Sequence, residues 1–473
     1  MASLHSGYFF NACAFAYALA LFMHIAFLVK DRPWLRRAAV TTTALGLIAQ
    51  SLGLVMRWME AGAVEVAAFE RATALKLSGL NYLLVFIQHP PWSNLYEILV
   101  YMAYGVVVVS LVSEVKWKIR FASIMALLLT LLIFGLASLS DDTIKPLVPA
   151  LKSWWIMIHV ISASIAYAAG TVAAFICLFY LFKAESKVPL KSLASGALFL
   201  SGILYVLLGR GTTLWTTLEY KVKLVRTMAD QDVVVGSVVN EQFVPYFVAS
   251  PGIGPLLMLA TLFCFGLGLW FRFGLKNEQA LGSAGLGLYW LCVTVSLALC
   301  ALIVANGLFT DNITLPSELS SGLMPPPPWR LSLRSNVWDL GVLAIALCSM
   351  VAVGLVLTFP RSVRERLPSL SVLDGAAHNC ILVAFTLMAV VLTTGALWAH
   401  YAWGRYWAWD PKETGALIIW LTYALYLHSR MTKNLAGVGS AVIGVCGFFV
   451  ILAGFLGVNL GFFANGLHSY GST

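Results

Sequence analysis

The chain has 473 residues, of which 60% are hydrophobic and 11% charged, and its mean hydropathy is +0.86. So little charge excludes a water-soluble fold of this length and leaves a polytopic integral membrane protein of the all-α class. The net charge of +9 lies largely in short stretches between apolar runs, so it speaks of orientation in a bilayer and not of nucleic acid.

About twelve runs are long enough to cross roughly 30 Å of hydrocarbon at about 20 residues each. They are expected near 8–29, 38–56, 94–113, 120–138, 153–182, 192–209, 253–273, 284–308, 337–358, 377–398, 414–429 and 436–458. The first lacks a basic leader and a small-residue cleavage site, so it is expected to remain as a helix. Basic clusters follow every odd-numbered run: Lys30, Arg32, Arg36 and Arg37; Lys116, Lys118 and Arg120; Lys183, Lys187 and Lys191. They recur at Arg272 and Lys276, at Arg361, Arg364 and Arg366, and at Arg430 and Lys433. That alternation puts those ends in the cytoplasm and both termini outside.

Between the runs, residues 57–93 read as a long outer connection whose second half suits an amphipathic interfacial helix. Residues 210–251 read as a second outer segment, with Lys221, Lys223 and Arg226 on a surface helix. A third, 309–336, contains the stiff spacer Pro325 to Trp329. The eight cysteines all lie within apolar runs without a C-x-x-C pair, so they read as small core residues. Three regions are expected: membrane helices over 1–183, additional helices with two outer segments over 184–373, and a core with a tryptophan-rich loop over 374–473.

That loop is the most unusual stretch. Trp403, Tyr406, Trp407 and Trp409 crowd together, followed at once by Asp410, Pro411, Lys412 and Glu413. An interfacial aromatic belt spreads its rings over many helix ends. Here they share one loop punctuated by Gly404 and Pro411, which suits a platform for a large, flat, apolar ligand with charged edges, such as haem. Trp403 and Trp407 are four apart and would share a face if the loop held a helical turn. Arg405 and Lys412 suit haem propionates, because a cation beside a carboxylate gains a charge-assisted bond. Asp410 and Glu413 also suit the start of the following helix, where carboxylates are favourable.

Eight histidines are present. A histidine within a membrane often does no more than bond a neighbouring helix, although ionisable groups there are costly and tend to mark a ligand or pathway. His159, near the outer start of its helix, and His468, in the outer tail, converge on the face that carries the tryptophans. Two neutral imidazoles on opposite sides of a plane meet the axial requirement of haem iron. Both lie at the outer edge, unlike the mid-helix pairs of a b-type cytochrome, so such a site would be open to the outside. His428 is near the inner end of the helix that the loop feeds.

At SNLYE (Ser93 to Glu97), LKSWWIMIHVISASIAYAA (Leu151 to Ala169), WGRYWAWDPKET (Trp403 to Thr414), LHSR (Leu427 to Arg430) and GVNLGFFANGLHSYG (Gly457 to Gly471) the chain resembles the CcsA/ResC family of System II cytochrome c biogenesis. That family belongs to the haem-handling proteins with a WWD loop. The resemblance covers roughly 88–183 and 374–473 and leaves 184–373 unmatched. His400 departs from it, standing where a small amide is expected. The resemblance implies His159 and His468 as the external axial ligands, the Trp loop as the haem platform, and His428 as an intramembrane haem ligand. It further implies haem b as transported substrate, a CcsB/ResB-type partner, and an apocytochrome c bearing C-x-x-C-H. The expected location is the bacterial cytoplasmic membrane, with the loop on the periplasmic face. Three activities remain open: a haem-lyase (synthase) component that presents haem for thioether formation, a haem carrier or exporter that does not host that step, and a quinone- or lipid-binding membrane subunit.

Overall fold

A computed structural model describes residues 5–29, 32–87, 89–139, 142–144, 146–147, 151–184, 190–208, 253–274, 282–309, 364–431 and 437–459, strand residues between 217 and 332, and some helical positions between 346 and 358. The expected span 337–358 falls largely outside these residues, as do the Pro325 to Trp329 spacer and His468. The chain forms two compact units, residues 1–137, 141–184 and 367–473 in the first, and residues 138–140 and 185–366 in the second.

Every regular element among the first unit's described residues is a helix. It holds α1 (Ser6–Val29), α2 (Pro33–Thr73), α3 (Gly79–Ile87), α4 (Leu95–Trp117), α5 (Arg120–Leu139) and α6 (Trp154–Lys183). The second unit interposes α7 (Leu190–Leu208), α8 (Ile253–Leu269), which closes in a π-helical turn at Trp270–Gly274, and α9 (Gly282–Phe309). The first unit then resumes with α10 (Leu370–Trp403), α11 (Pro411–Met431) and α12 (Val438–Asn459). Eight helices among the described residues are long and apolar enough to cross a membrane, and α7 and α12 add shorter apolar stretches. The protein is a polytopic helical membrane protein.

Two expectations are corrected. Residues 57–73 are not a loop but the second half of α2, which runs unbroken for 41 residues. The connection from α2 to α4 is therefore short, and its helix is α3, which buries no residue. The second unit also contains strands, so the surface helix expected at Lys221, Lys223 and Arg226 is instead β1 (Thr217–Met228). β1 pairs antiparallel with β2 (Gln231–Val235) and β5 (Tyr246–Pro251), β5 pairs with β6 (Ile313–Thr314), and β7 (Arg330–Ser332) also pairs with β1. β3 (Ser237–Val239) and β4 (Gln242–Val244) form a separate hairpin.

The first unit is built around α6, whose main packing partner is α10, with α4 and α12 on its other sides. Its middle is a run of small buried residues, including Ala166, Ala168, Ala169, Gly170, Ala173 and Ala174. In a membrane, where apolar side chains gain little by leaving lipid, small residues let helices approach and gain packing contacts. Gly170 shows the effect: a Cβ there would collide with the Tyr423 hydroxyl of α11, and Tyr423 is fully buried. At the other end of α10, Arg430 grips Asp374 bidentately at 2.5 and 2.7 Å, fixing α11 against α10.

Candidate functional site

Each helix that reaches the site starts or stops on its own local chemistry. Asn94 caps α4 by accepting from the Glu97 backbone N–H at 2.9 Å. Glu97 Oε2 reaches back to accept from the Ser93 N–H at 2.7 Å and hydroxyl at 3.0 Å. SNLYE is thus a reciprocal helix cap. Glu97 is buried, and its other oxygen takes the Arg57 Nε–H at 2.9 Å. Ser153 caps α6 through the Trp155 N–H. α10 ends at Trp403, where Gly404 takes the left-handed conformation (φ 73°) and donates to the His400 carbonyl at 2.8 Å.

The DPKE stretch starts α11 in the same way. Asp410 accepts from the Lys412 N–H at 2.9 Å, Pro411 occupies the first helical position, and Glu413 Oε2 accepts from the Ala408 and Asp410 N–H groups at 2.8 and 3.3 Å. Asp410 is buried as a cap, so its carboxylate serves the helix. The turn expected between Trp403 and Trp407 is absent: residues 404–410 are not helical, and Gly404 sends the two rings to different places.

These starts and stops converge on a cavity of about 270 Å³ lined from α4, α6, α10, α11, α12 and the loop. SNLYE contributes Ser93 and Asn94, α6 contributes His159, and the Trp loop contributes Tyr406, Trp407 and Lys412. His159 Nδ1 lies 2.9 Å from the Val391 carbonyl. A carbonyl only accepts, so Nδ1 carries the proton and the lone pair is on Nε2, the arrangement a metal-ligating imidazole needs. Gly395, one turn beyond Val391, leaves room for the ring, since a Cβ there would lie 3.0 Å from both Cε1 and Nδ1. Trp398 packs against His159 at 6.4 Å between ring centres.

The other expected site residues divide. Trp403 packs edge-on against Trp398 at 5.0 Å and does not line the cavity. Tyr406 stacks on His400 at 4.2 Å with the planes 8° apart, which gives the unexpected His400 a supporting role. Trp409 is 71% exposed, lies in the left-handed region at φ 58°, and meets Trp407 edge-on at 5.8 Å. Arg405 is exposed and off the cavity wall. Lys412 is on the wall, and burial lowers its ammonium pKa, with Asp410 opposing the shift. His428 is exposed near the C-terminal end of α11, on a stripe with Ile418, Leu421 and Leu425. Sequence reasoning missed Val391, Gly395 and Trp398. Their signal is their spacing on α10 opposite His159, which becomes legible only once α10 is known to pack on α6.

The family described as Cytochrome C assembly protein matches residues 92–231 and 281–463. The chain belongs to this family. The match runs through most of the cavity-lining segments and extends into the middle region that the motifs leave unmatched. Curated CcsA relatives, cytochrome c biogenesis proteins by name, agree. The Synechocystis sp. protein is 26% identical over 465 residues, 98% of this chain and 96% of that protein. The Microcystis aeruginosa protein is 28% identical over 393 residues, 80% and 79% of the two chains. The Prochlorococcus marinus protein reaches 50% identity over 99 residues, 21% of this chain and 31% of its own length. A solved structure titled Cytochrome c Heme Lyase CcmF overlays at a TM-score of 0.30 and 12% identity over 99% of this chain and 73% of its own, a likeness too low to carry an argument. This CcsA/ResC-type protein therefore acts in cytochrome c maturation.

Proposed function

We propose that this chain moves haem b to the outer face of the bacterial cytoplasmic membrane and presents it, reduced, to an apocytochrome c. One observation carries the reading: His159, the SNLYE cap and the Trp loop, distant in sequence, line one cavity. His159 supplies one axial nitrogen. His468, which follows α12, supplies the other by the family resemblance. Trp407 and Tyr406 offer flat apolar surface for the macrocycle, and Lys412 offers a cation to a propionate. His428 is the intramembrane ligand on the route from the cytoplasm, and a CcsB/ResB-type protein is the partner.

The chemistry asks little of the protein beyond placement. Each cysteine S–H of the C-x-x-C-H segment adds across a haem vinyl C=C, so a C–S bond forms, the proton goes to carbon, and nothing leaves. Holding vinyl and thiol together supplies much of the acceleration through proximity and orientation. The test is a visible spectrum of the purified protein with and without His159 and His468, together with maturation of a C-x-x-C-H cytochrome in cells given this chain and its partner. Bound haem that depends on both histidines, with maturation lost in both variants, supports the lyase reading. Haem binding without maturation supports a carrier, and a protein free of haem overturns both.

A further inference from the structure

The outer half of α2 carries buried ionisable groups that the site's chemistry does not use. Glu65 is 4% exposed and His89 fully buried. Its Oε2 accepts from the Leu147 backbone N–H at 2.9 Å and lies 3.2 Å from His89 Nδ1, while Oε1 is paired with the Lys152 ammonium. One carboxylate thus joins three stretches of chain. Both stretches outside α2 lead directly onto the cavity wall. His89 is followed by Trp92, Ser93 and Asn94, and Lys152 lies between the wall residue Leu151 and Ser153, the cap from which α6 runs to His159.

Two turns away on α2, Arg57 repeats the arrangement. It holds Glu97 and donates through Nη2 to the Asp142 carbonyl at 2.6 Å, while Asn94 donates to the Thr143 carbonyl at 3.2 Å. Among the described residues, 89–94, 142–144 and 146–147 belong to no helix or strand, so these links help to set their position.

We propose that Glu65 is a positioning residue for the cavity: it fixes the SNLYE entry and the start of α6, and through that start the placement of His159. The proposal rests on the haem reading for its functional meaning and on geometry alone for its structural part. A carboxylate that accepts the Leu147 N–H, pairs with the Lys152 ammonium and lies beside the His89 ring is placed to hold both segments at once.

Glu65→Gln keeps an acceptor for the Leu147 N–H but removes the charge that pairs with Lys152. In protein of normal abundance, co-purified haem should fall by about tenfold or more, with a changed visible spectrum. Glu65→Asp should recover part of both. Hydrogen exchange of the haem-free protein should rise over 89–97 and 147–156 and stay unchanged over α10 and α11. Lys152→Gln, at a 40% exposed side chain, should give a smaller effect in the same direction and serves if Glu65 variants accumulate poorly. Unchanged exchange in those segments, or a rise spread evenly through the first unit, overturns the positioning role. If the wild-type protein holds no haem, the proposed function fails, and the exchange measurement still decides the role of Glu65.

Discussion

At His159 two demands meet, because the imidazole must fit against α10 and hold one tautomer. The Val391 carbonyl meets the second and Gly395 the first. Gly395→Ala ordinarily favours a helix, by about 1 kcal/mol. Here it should push the ring off the Val391 carbonyl, so haem retention should drop while thermal stability holds. A variant with wild-type haem would show that the ring has slack. His159→Ala should abolish maturation, and added imidazole should restore part of it by entering the vacated coordination position. Failure of imidazole to restore any activity would give the histidine a role beyond ligation. Lys412 offers a pH test. Its lowered pKa means that its charge is present at low and neutral pH and is lost, as pH rises, earlier than for an ordinary lysine. Haem retention should therefore weaken on the alkaline side, and Lys412→Arg should remove that limb of the profile, since guanidinium stays charged. An identical alkaline limb in the Arg variant would assign the titration elsewhere.

Helix ends, more than helix middles, make the cavity. Asp410→Ala should cost about 1 kcal/mol by removing a cap, whereas Asp410→Asn caps as well as aspartate and should be nearly silent. Loss of haem in Asp410→Asn would instead assign the carboxylate charge to the ligand. Within the loop, the rings now rank differently. A Trp407 ring burying about 100 Å² against haem contributes about 2.5 kcal/mol, so Trp407→Ala should weaken retention on the order of fifty-fold. Trp409→Ala, with its ring exposed, should spare haem and show its cost in partner or membrane contact. Haem stoichiometry of the two variants separates these cases. Element ends were legible in sequence where a cap is spelled out: Asn94 and Ser153 put the starts of α4 and α6 within a residue of expectation. The second half of α2 was hidden because hydropathy reports contact with lipid and not helicity. Its Arg57, Glu60 and Glu65 interrupt the apolar run, while its many alanines sustain the helix. β1 was misread although its sequence alternates, with Leu218, Tyr220, Val222 and Leu224 between Glu219, Lys221 and Lys223, a period of two that a helix does not have.

On the scale of the whole molecule, composition alone specified a polytopic helical membrane protein, but no sequence pattern disclosed which helices pack together. The Trp loop and His159 were each visible as unusual residues. Their meeting with SNLYE depends on α6 taking α4, α10 and α12 as neighbours through its small-residue run, a pairing that hydrophobic periodicity does not encode. The proposed orientation is tested by reporter fusions, which should be cytoplasmic at 118 and 184 and external at 88 and 405; the reverse pattern would put the cavity on the wrong side for its proposed use. The length of α2 adds a consequence for the arriving substrate. Its 41 residues rise about 60 Å, twice the hydrocarbon thickness. Arg57, 24 residues beyond Pro33, stands about 36 Å along it, so with Pro33 at the cytoplasmic surface, as the proposed orientation has it, the segments hung from Arg57 would lie at the height of the opposite headgroups and Glu65 beyond them. A cysteine brought to that height stays in contact with water and keeps an acidity near the ordinary value of about 8.5. Carried deeper among the acyl chains, the same sulfur would hold its proton more tightly and lose nucleophilic character.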